Sequence, residues 1–264
     1  MRIRLFDAFG NSLFIKRILI FIFGCIAYYR FNVANKTKVE GSKVLKGLQD
    51  SNVLFVSNHQ TYFADVTGMY QVFCSAKWGI YDRVDKIRYV LNPKLNIYFI
   101  AARETMKSGL LPKIFAYVGS VSIKRTWREA GQSVDREVDR EDVEKIRKAL
   151  SSGWVITFPQ GTTTPFVPGR KGTAHIIKEN RPVVIPVVID GFRRAFDKKG
   201  LFLKKKGVEL NIRFKSPLDI DYEQDSDKIL EQIMISIEQS DEFNLMKKLE
   251  DEENVKSQSE TSVN

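Results

Sequence analysis

Histidine is scarce in this chain, and His59 and His175 are its only two. His59 stands in Ser57-Asn-His-Gln-Thr-Tyr-Phe-Ala-Asp65, directly after the apolar run Val53-Leu-Phe-Val56. An imidazole beside a carboxylate makes a general base, because the carboxylate fixes the tautomer and stabilises the imidazolium that forms. His59 and Asp65 are therefore the candidate catalytic pair. The same residues also suit a plainer role, with His59 satisfying a strand end and Asp65 capping the next helix. On a regular α-helix, residues six apart lie about 240° around the axis, so the two side chains cannot share one helical face. The spacing predicts His59 on the loop leaving the strand and Asp65 near the start of the next helix. The slack falls between Gln60 and Ala64.

Three further segments carry residue types that could hold a ligand. In Phe158-Pro-Gln160-Gly161-Thr162, the glycine lets the backbone turn sharply and approach a ligand, and turned amides can cradle a phosphate. In Gly119-Ser-Val-Ser-Ile-Lys-Arg125, an arginine at a strand end can fork onto a phosphate. Alone, the first is also an ordinary strand-exit turn and the second a solvated charge. The run Arg181-Pro-Val-Val-Ile-Pro186-Val-Val-Ile189 receives no chemistry. Pro186 inside it predicts a bend or an edge strand, since proline cannot donate to a ladder. No cysteine and histidine cluster has zinc spacing.

The elements that must position these residues alternate. Strand-like runs cover 53–56, 97–101, 121–123, 154–158, 183–189 and 208–214. Helical patterns cover 139–150, 173–179 and 225–239. Alternation of this kind predicts an α/β fold, a single domain with a largely parallel sheet flanked by helices. The polar, charged segment 126–139 reads as a surface loop.

The formal charge of +10 over 264 residues is unevenly spread. Residues 1–46 hold nine Lys/Arg against two Asp/Glu, and residues 241–264 hold seven acids against three bases. A basic body wants an anionic partner, a nucleic acid or an anionic lipid surface. No nucleic-acid reader module occurs, and the basic residues instead flank an apolar run, residues 18–29, of 12 residues. A spanning helix needs about 20. The reading is a membrane-associated helix lying in one leaflet, with Lys16, Arg17 and Arg30 snorkelling to phosphates and Tyr28 and Tyr29 at headgroup depth. A single span, a signal peptide and a buried core helix are the alternatives. Two cysteines in unlike contexts, Cys25 and Cys74, suit a reduced, cytoplasmic-side protein. The expected organisation is an N-terminal membrane-associated segment (1–36), a domain (37–240) and an acidic tail lacking fixed structure (241–264).

Taken in order, four pieces resemble the glycerophospholipid acyltransferase family. They are Asn58-His59 with Asp65, the Gly119 to Arg125 motif, Phe158-Pro-Gln-Gly-Thr162 and Val184-Ile-Pro-Val187. The resemblance covers about 53–189. It implies transfer of a fatty acyl chain from a thioester, on acyl carrier protein or coenzyme A, to the hydroxyl of a lysolipid. The first candidate acceptor is 1-acyl-sn-glycerol-3-phosphate, giving phosphatidic acid at the cytoplasmic face of the cell membrane. It implies His59 and Asp65 as the base pair, and Arg125, Gln160, Gly161, Thr162 and Lys171 around the acceptor. No cofactor is implied, since the thioester is a co-substrate. Two departures stand out. Five residues separate His59 from Asp65 where the family has four, and Gln160 and Thr163 replace a Glu and an Arg that help hold glycerol phosphate. A lyso-aminolipid acceptor, or a membrane lipid-binding protein without activity, are the competing expectations.

Overall fold

The computed structural model describes residues 5–107, 110–124, 128–129, 132–133 and 139–245. The chain opens with helix α1 (Leu13–Tyr28) and a π turn (Tyr29–Val33), then strands β1 (Lys36–Glu40) and β2 (Val53–Ser57). Helix α2 (Ala64–Lys77), strand β3 (Ile97–Ala102), helices α3 (Arg103–Lys107) and α4 (Leu110–Gly119) and strand β4 (Ser120–Ile123) follow. A two-residue pair, β5 (Arg128–Glu129) and β6 (Gln132–Ser133), precedes α5 (Arg140–Ser152) and β7 (Trp154–Thr157). The rest is α6 (Lys171–Asn180), β8 (Val183–Asp190), α7 (Phe192–Ala195), β9 (Glu209–Phe214) and α8 (Ser226–Ser236).

Seven strands form one sheet in the order β1-β9-β8-β2-β7-β3-β4. Every neighbouring pair in it is parallel except β8 with β9. The expected largely parallel α/β sheet is what the chain builds. β2 lies at its middle, and its residues are buried on both faces. Val53 and Phe55 enter the core under α1 and α2, while Leu54 and Val56 enter the core under α5, α6 and α8. Burial on both faces explains why the run reads as continuously apolar rather than alternating. β9 has one face half-open and alternates as its sequence does.

Helix ends follow local chemistry. Asp139 caps α5 by accepting from the Glu141 amide, and Asp225 caps α8 from the Asp227 amide. α2 shows no clear apolar stripe because it is buried almost all round, from Ala64 to Ser75 apart from Thr67. A helix apolar on all sides belongs inside a protein.

The expectation for Pro186 is corrected. β8 is an interior strand, between β9 and β2. The carbonyl of Pro186 accepts from the Lys215 amide at 3.0 Å. Its nitrogen faces the same flank, where β9 has already ended at Phe214 and the ladder covers only Val187 to Asp190. The missing donor therefore falls where no strand needs it.

One detail of the N-terminal segment is also corrected, the outward reach of Lys16. Among the described residues, no helix is long and apolar enough to cross a membrane. α1 lies on the body, with Ile20 and Ala27 in the core shared with α2. Its outer face exposes Phe14, Ile15, Ile18, Phe21, Ile22 and Ile26, the three-to-four-residue spacing of one helical side. Lys16 does not snorkel. Its side chain is 0% exposed, 3.6 Å from the Asp7 carboxylate and 5.0 Å over the Tyr98 ring. That separation leaves an ion pair without a hydrogen bond to the ammonium.

Burial pushes the Lys16 ammonium down to about 8, against the smaller opposing pull of Asp7. The folded value lies below the free value of 10.5. The folded protein therefore binds fewer protons between the two values, and stability rises with pH across that window. Lys16→Met is expected to stabilise the protein at neutral pH, by an advantage that shrinks as pH climbs from about 8 to 10.5. Thermal unfolding of both proteins at the two ends checks this, and a constant difference contradicts it.

Candidate active site

The site forms at the carboxyl ends of β2, β7 and β3, where open α/β sheets leave room for ligands. β2 pairs in parallel with both β7 and β8, so the loops leaving all three meet. Asn58, the first residue past β2, acts as a splint. Its amide donates to the Ile189 carbonyl at 2.9 Å, and its oxygen accepts from the Ile189 amide at 2.8 Å. The side chain thus imitates a strand and fixes the direction in which the next residue leaves.

That next residue is His59, on the loop, with Asp65 in the first turn of α2. His59 Nδ1 lies 2.8 Å from Asp65 Oδ2. Both residues lie where their spacing requires, and the longer loop closes onto the carboxylate. Asp65 is fully buried and is held by its own loop. Oδ2 also accepts from the amides of Gln60 (2.6 Å) and Thr61 (2.9 Å), and Oδ1 accepts from the Thr61 hydroxyl at 2.7 Å. These donors satisfy the buried carboxylate and fix its orientation. An acceptor at Nδ1 assigns the ring proton there and leaves the lone pair on Nε2. Phe158, just past β7, stacks on the imidazole at 3.9 Å between centroids and 20° between planes. The His59 side chain stays 12% exposed and lines a long groove.

The groove is amphiphilic. Phe63, Val66, Phe99, Ile100 and Met106 line it with apolar surface, Lys124, Arg140, Arg170, Lys171, Lys198 and Lys199 bring positive charge to it, and Glu104, Asp139, Asp142, Glu144 and Glu179 bring negative charge. Gly161 and Thr162 line it as well. Gly161 adopts φ +64°, and its amide closes a turn on the Phe158 carbonyl at 3.0 Å. This left-handed conformation is what glycine supplies cheaply. Lys171 begins α6 and pairs with Asp227 at 2.9 Å, a hydrogen bond that raises its ammonium above the ordinary value. His175 also faces the groove from α6. Arg125 lies outside the described residues. The chain leading to it is gripped by buried Asp142, which accepts from the Lys124 amide at 2.7 Å.

Gln160 is not brought to the groove with its neighbours. Its side chain is buried, and its amide nitrogen donates to the Val167 carbonyl at 3.0 Å and to Gln239 Oε1 at 3.2 Å. Gln239 Oε1 also accepts from the Phe166 amide at 3.0 Å, which fixes it as an acceptor. A carboxylate at position 160 would meet two acceptors and no donor there. Gln160→Glu is expected to cost about 1–3 kcal/mol, read as a lower melting temperature. An unchanged melting temperature would contradict the assignment.

Sequence reasoning missed the Phe158 stack, the Thr61 hydroxyl and the residues after β8. Arg193 donates its guanidinium to the Thr163 carbonyl and its amide to Gln60 Oε1, so it clasps the His59 loop to the Gly161 loop. The only signal was a run of cations past Ile189.

A family model described as Acyltransferase matches residues 30–190, more than half of the chain. A solved structure, the 1-acyl-sn-glycerophosphate (LPA) acyltransferase PlsC from Thermotoga maritima, aligns at TM-score 0.52 and 20% identity. It covers 84% of this chain and 76% of its own, a likeness of fold. No curated protein sequence matches the chain. The matched span contains β2, β3, β4, β7 and β8 together with His59, Asp65 and the Gly161 turn, and the chain belongs to the acyltransferase family.

Proposed function

We propose that the protein moves a fatty acyl chain from a thioester, carried by acyl carrier protein or coenzyme A, to the hydroxyl of a lysolipid at a membrane surface. The acceptor we assign first is 1-acyl-sn-glycerol-3-phosphate, the substrate in the name of the Thermotoga maritima structure. The observation that carries the reading is the buried Asp65 carboxylate on His59 Nδ1, with Nε2 at an amphiphilic groove.

His59 Nε2 takes the proton of the acceptor hydroxyl, and the oxygen attacks the thioester carbonyl. The tetrahedral adduct collapses, the C–S bond breaks, and the imidazolium returns its proton to the leaving thiolate. Asp65 orients the ring and stabilises its charged form. The fatty chain lies along the apolar side of the groove. The headgroup faces Lys171 and the Gly161-Thr162 turn, and the family resemblance alone assigns Arg125 to it. Neither cysteine serves as nucleophile in this scheme: Cys74 is buried, which pushes its thiol up to about 12, and Cys25 lies on α1. The exposed apolar side of α1 rests in the headgroup layer of one leaflet, an amphipathic mode that needs no span.

Thr163 supports a second acceptor class. It lines the groove where the family carries an Arg for glycerol phosphate, which suits a lyso-aminolipid headgroup. Purified protein given both acceptor classes and both thioesters, with products read by mass spectrometry, decides. The expected product is phosphatidic acid. Fatty acid released without any ester product overturns the reading.

A further inference from the structure

We propose that residues 196–206 form a membrane-contact hairpin of their own, which seats the His59 loop on an anionic bilayer. The proposal rests on the lipid-acceptor reading above. Between Gly191 and Gly207 the chain carries seven cations, Arg193, Arg194, Lys198, Lys199, Lys204, Lys205 and Lys206, against one acid, Asp197. Asp197 is spent within the turn, where its Oδ1 accepts from the amides of Leu201 (2.7 Å) and Phe202 (2.9 Å). A bridge between Phe196 and Leu203 closes the hairpin. Among the described residues no carboxylate pairs with the five lysines, and all five are exposed.

Phe202 stands amid these lysines and is 72% exposed. A lone aromatic held out by a rigid turn and ringed by ammonium groups matches a headgroup layer, with the ring among glycerol backbones and the lysines on phosphates. The surface beside it continues the theme. Arg30, just past α1, donates to the Gly200 carbonyl at 3.2 Å and lies 5.0 Å over the Phe196 ring. Ile26, Tyr29 and Val33 are exposed on that end of the helical segment. This apolar continuity favours a bilayer over an acidic carrier protein as the occupant.

The hairpin is also fastened to the catalytic loop. The carbonyls of Lys198 and Lys199 accept from the amides of Tyr62 (3.2 Å) and Phe63 (3.0 Å), between His59 and Asp65. At Gly200, with φ +76°, an added Cβ would fall 2.5 Å from the Ala64 nitrogen and 2.8 Å from the Thr61 hydroxyl that binds Asp65. Whatever fixes the height of the hairpin over a membrane therefore fixes the height of His59.

The test uses the full chain with Phe202→Ser and with the triple variant Lys204→Gln, Lys205→Gln, Lys206→Gln. Partition onto phosphatidylcholine vesicles with and without phosphatidylglycerol is read by sedimentation. The triple variant is expected to lose about 100-fold in partition onto the anionic vesicles, at about fivefold per lysine. Phe202→Ser is expected to lose affinity for both kinds. Both should keep turnover on a short-chain, monomeric lysolipid while losing it on vesicle-borne lysolipid. Partition unchanged in both variants overturns the proposal. Unchanged partition with a raised KM for the acyl carrier protein thioester alone overturns it in favour of a protein-docking face. Partition needs no turnover, so a failed acyl-transfer assay with the expected partition condemns the functional reading and leaves the hairpin standing.

Discussion

His59→Ala is expected to lower kcat by about 10²–10⁴-fold, the usual contribution of a positioned general base, with little change in KM for either substrate. The fold should survive. The side chain sits on a loop and stays partly exposed, and its removal leaves Asp65 with three other donors, the Gln60 and Thr61 amides and the Thr61 hydroxyl. The buried carboxylate therefore remains satisfied. The main structural loss is the stack on Phe158. Initial rates of thiol release from the acyl thioester, measured beside circular dichroism melts, separate the two effects. A variant with wild-type kcat would remove His59 from the chemistry.

Asp65 should distinguish charge from scaffolding. Asp65→Ala strips the acceptor from two backbone amides and one hydroxyl in a fully buried place. Each buried donor left unmade costs about 1–3 kcal/mol, so the melt should fall steeply along with activity. Asp65→Asn keeps the shape. One amide oxygen can stay on the Gln60 and Thr61 amides, while the Thr61 hydroxyl turns to accept from the new amide nitrogen. The expected result is a near-native melting temperature with kcat reduced at least about 10²-fold, because no carboxylate remains to stabilise the imidazolium. Wild-type kcat in Asp65→Asn would make Asp65 a scaffold only.

Much of the site was legible because it depends on short-range rules. A strand buried on both faces announces itself as an apolar run, and β2, β7 and β8 all did so. The mismatch between a six-residue separation and helical geometry forced His59 onto the loop and Asp65 into α2. What stayed hidden depends on distant partners. Pro186 argued for an edge, yet its missing donor faces a flank where β9 has ended. Lys16 and Arg17 look alike in sequence. Lys16 turns inward because Asp7 and Tyr98 wait there, while Arg17 reaches outward to Asn92 at 3.0 Å. β1, with its alternating lysines, lies outside the strand-like runs of the sequence, and only its pairing with β9 makes it a strand. Gln160 sits in a motif that suggests ligand contact, and only Gln239, far along the chain, shows where its amide is engaged.

The central claim is that His59 deprotonates the acceptor hydroxyl, which then attacks the thioester directly. Rapid-mixing measurement of thiol release tests it, using saturating thioester and a lysolipid whose acceptor hydroxyl is replaced by hydrogen. The account predicts no burst and background release with this analogue, against steady turnover with the intact lysolipid. A burst of thiol equal to the enzyme concentration would reveal a covalent acyl-enzyme and contradict it.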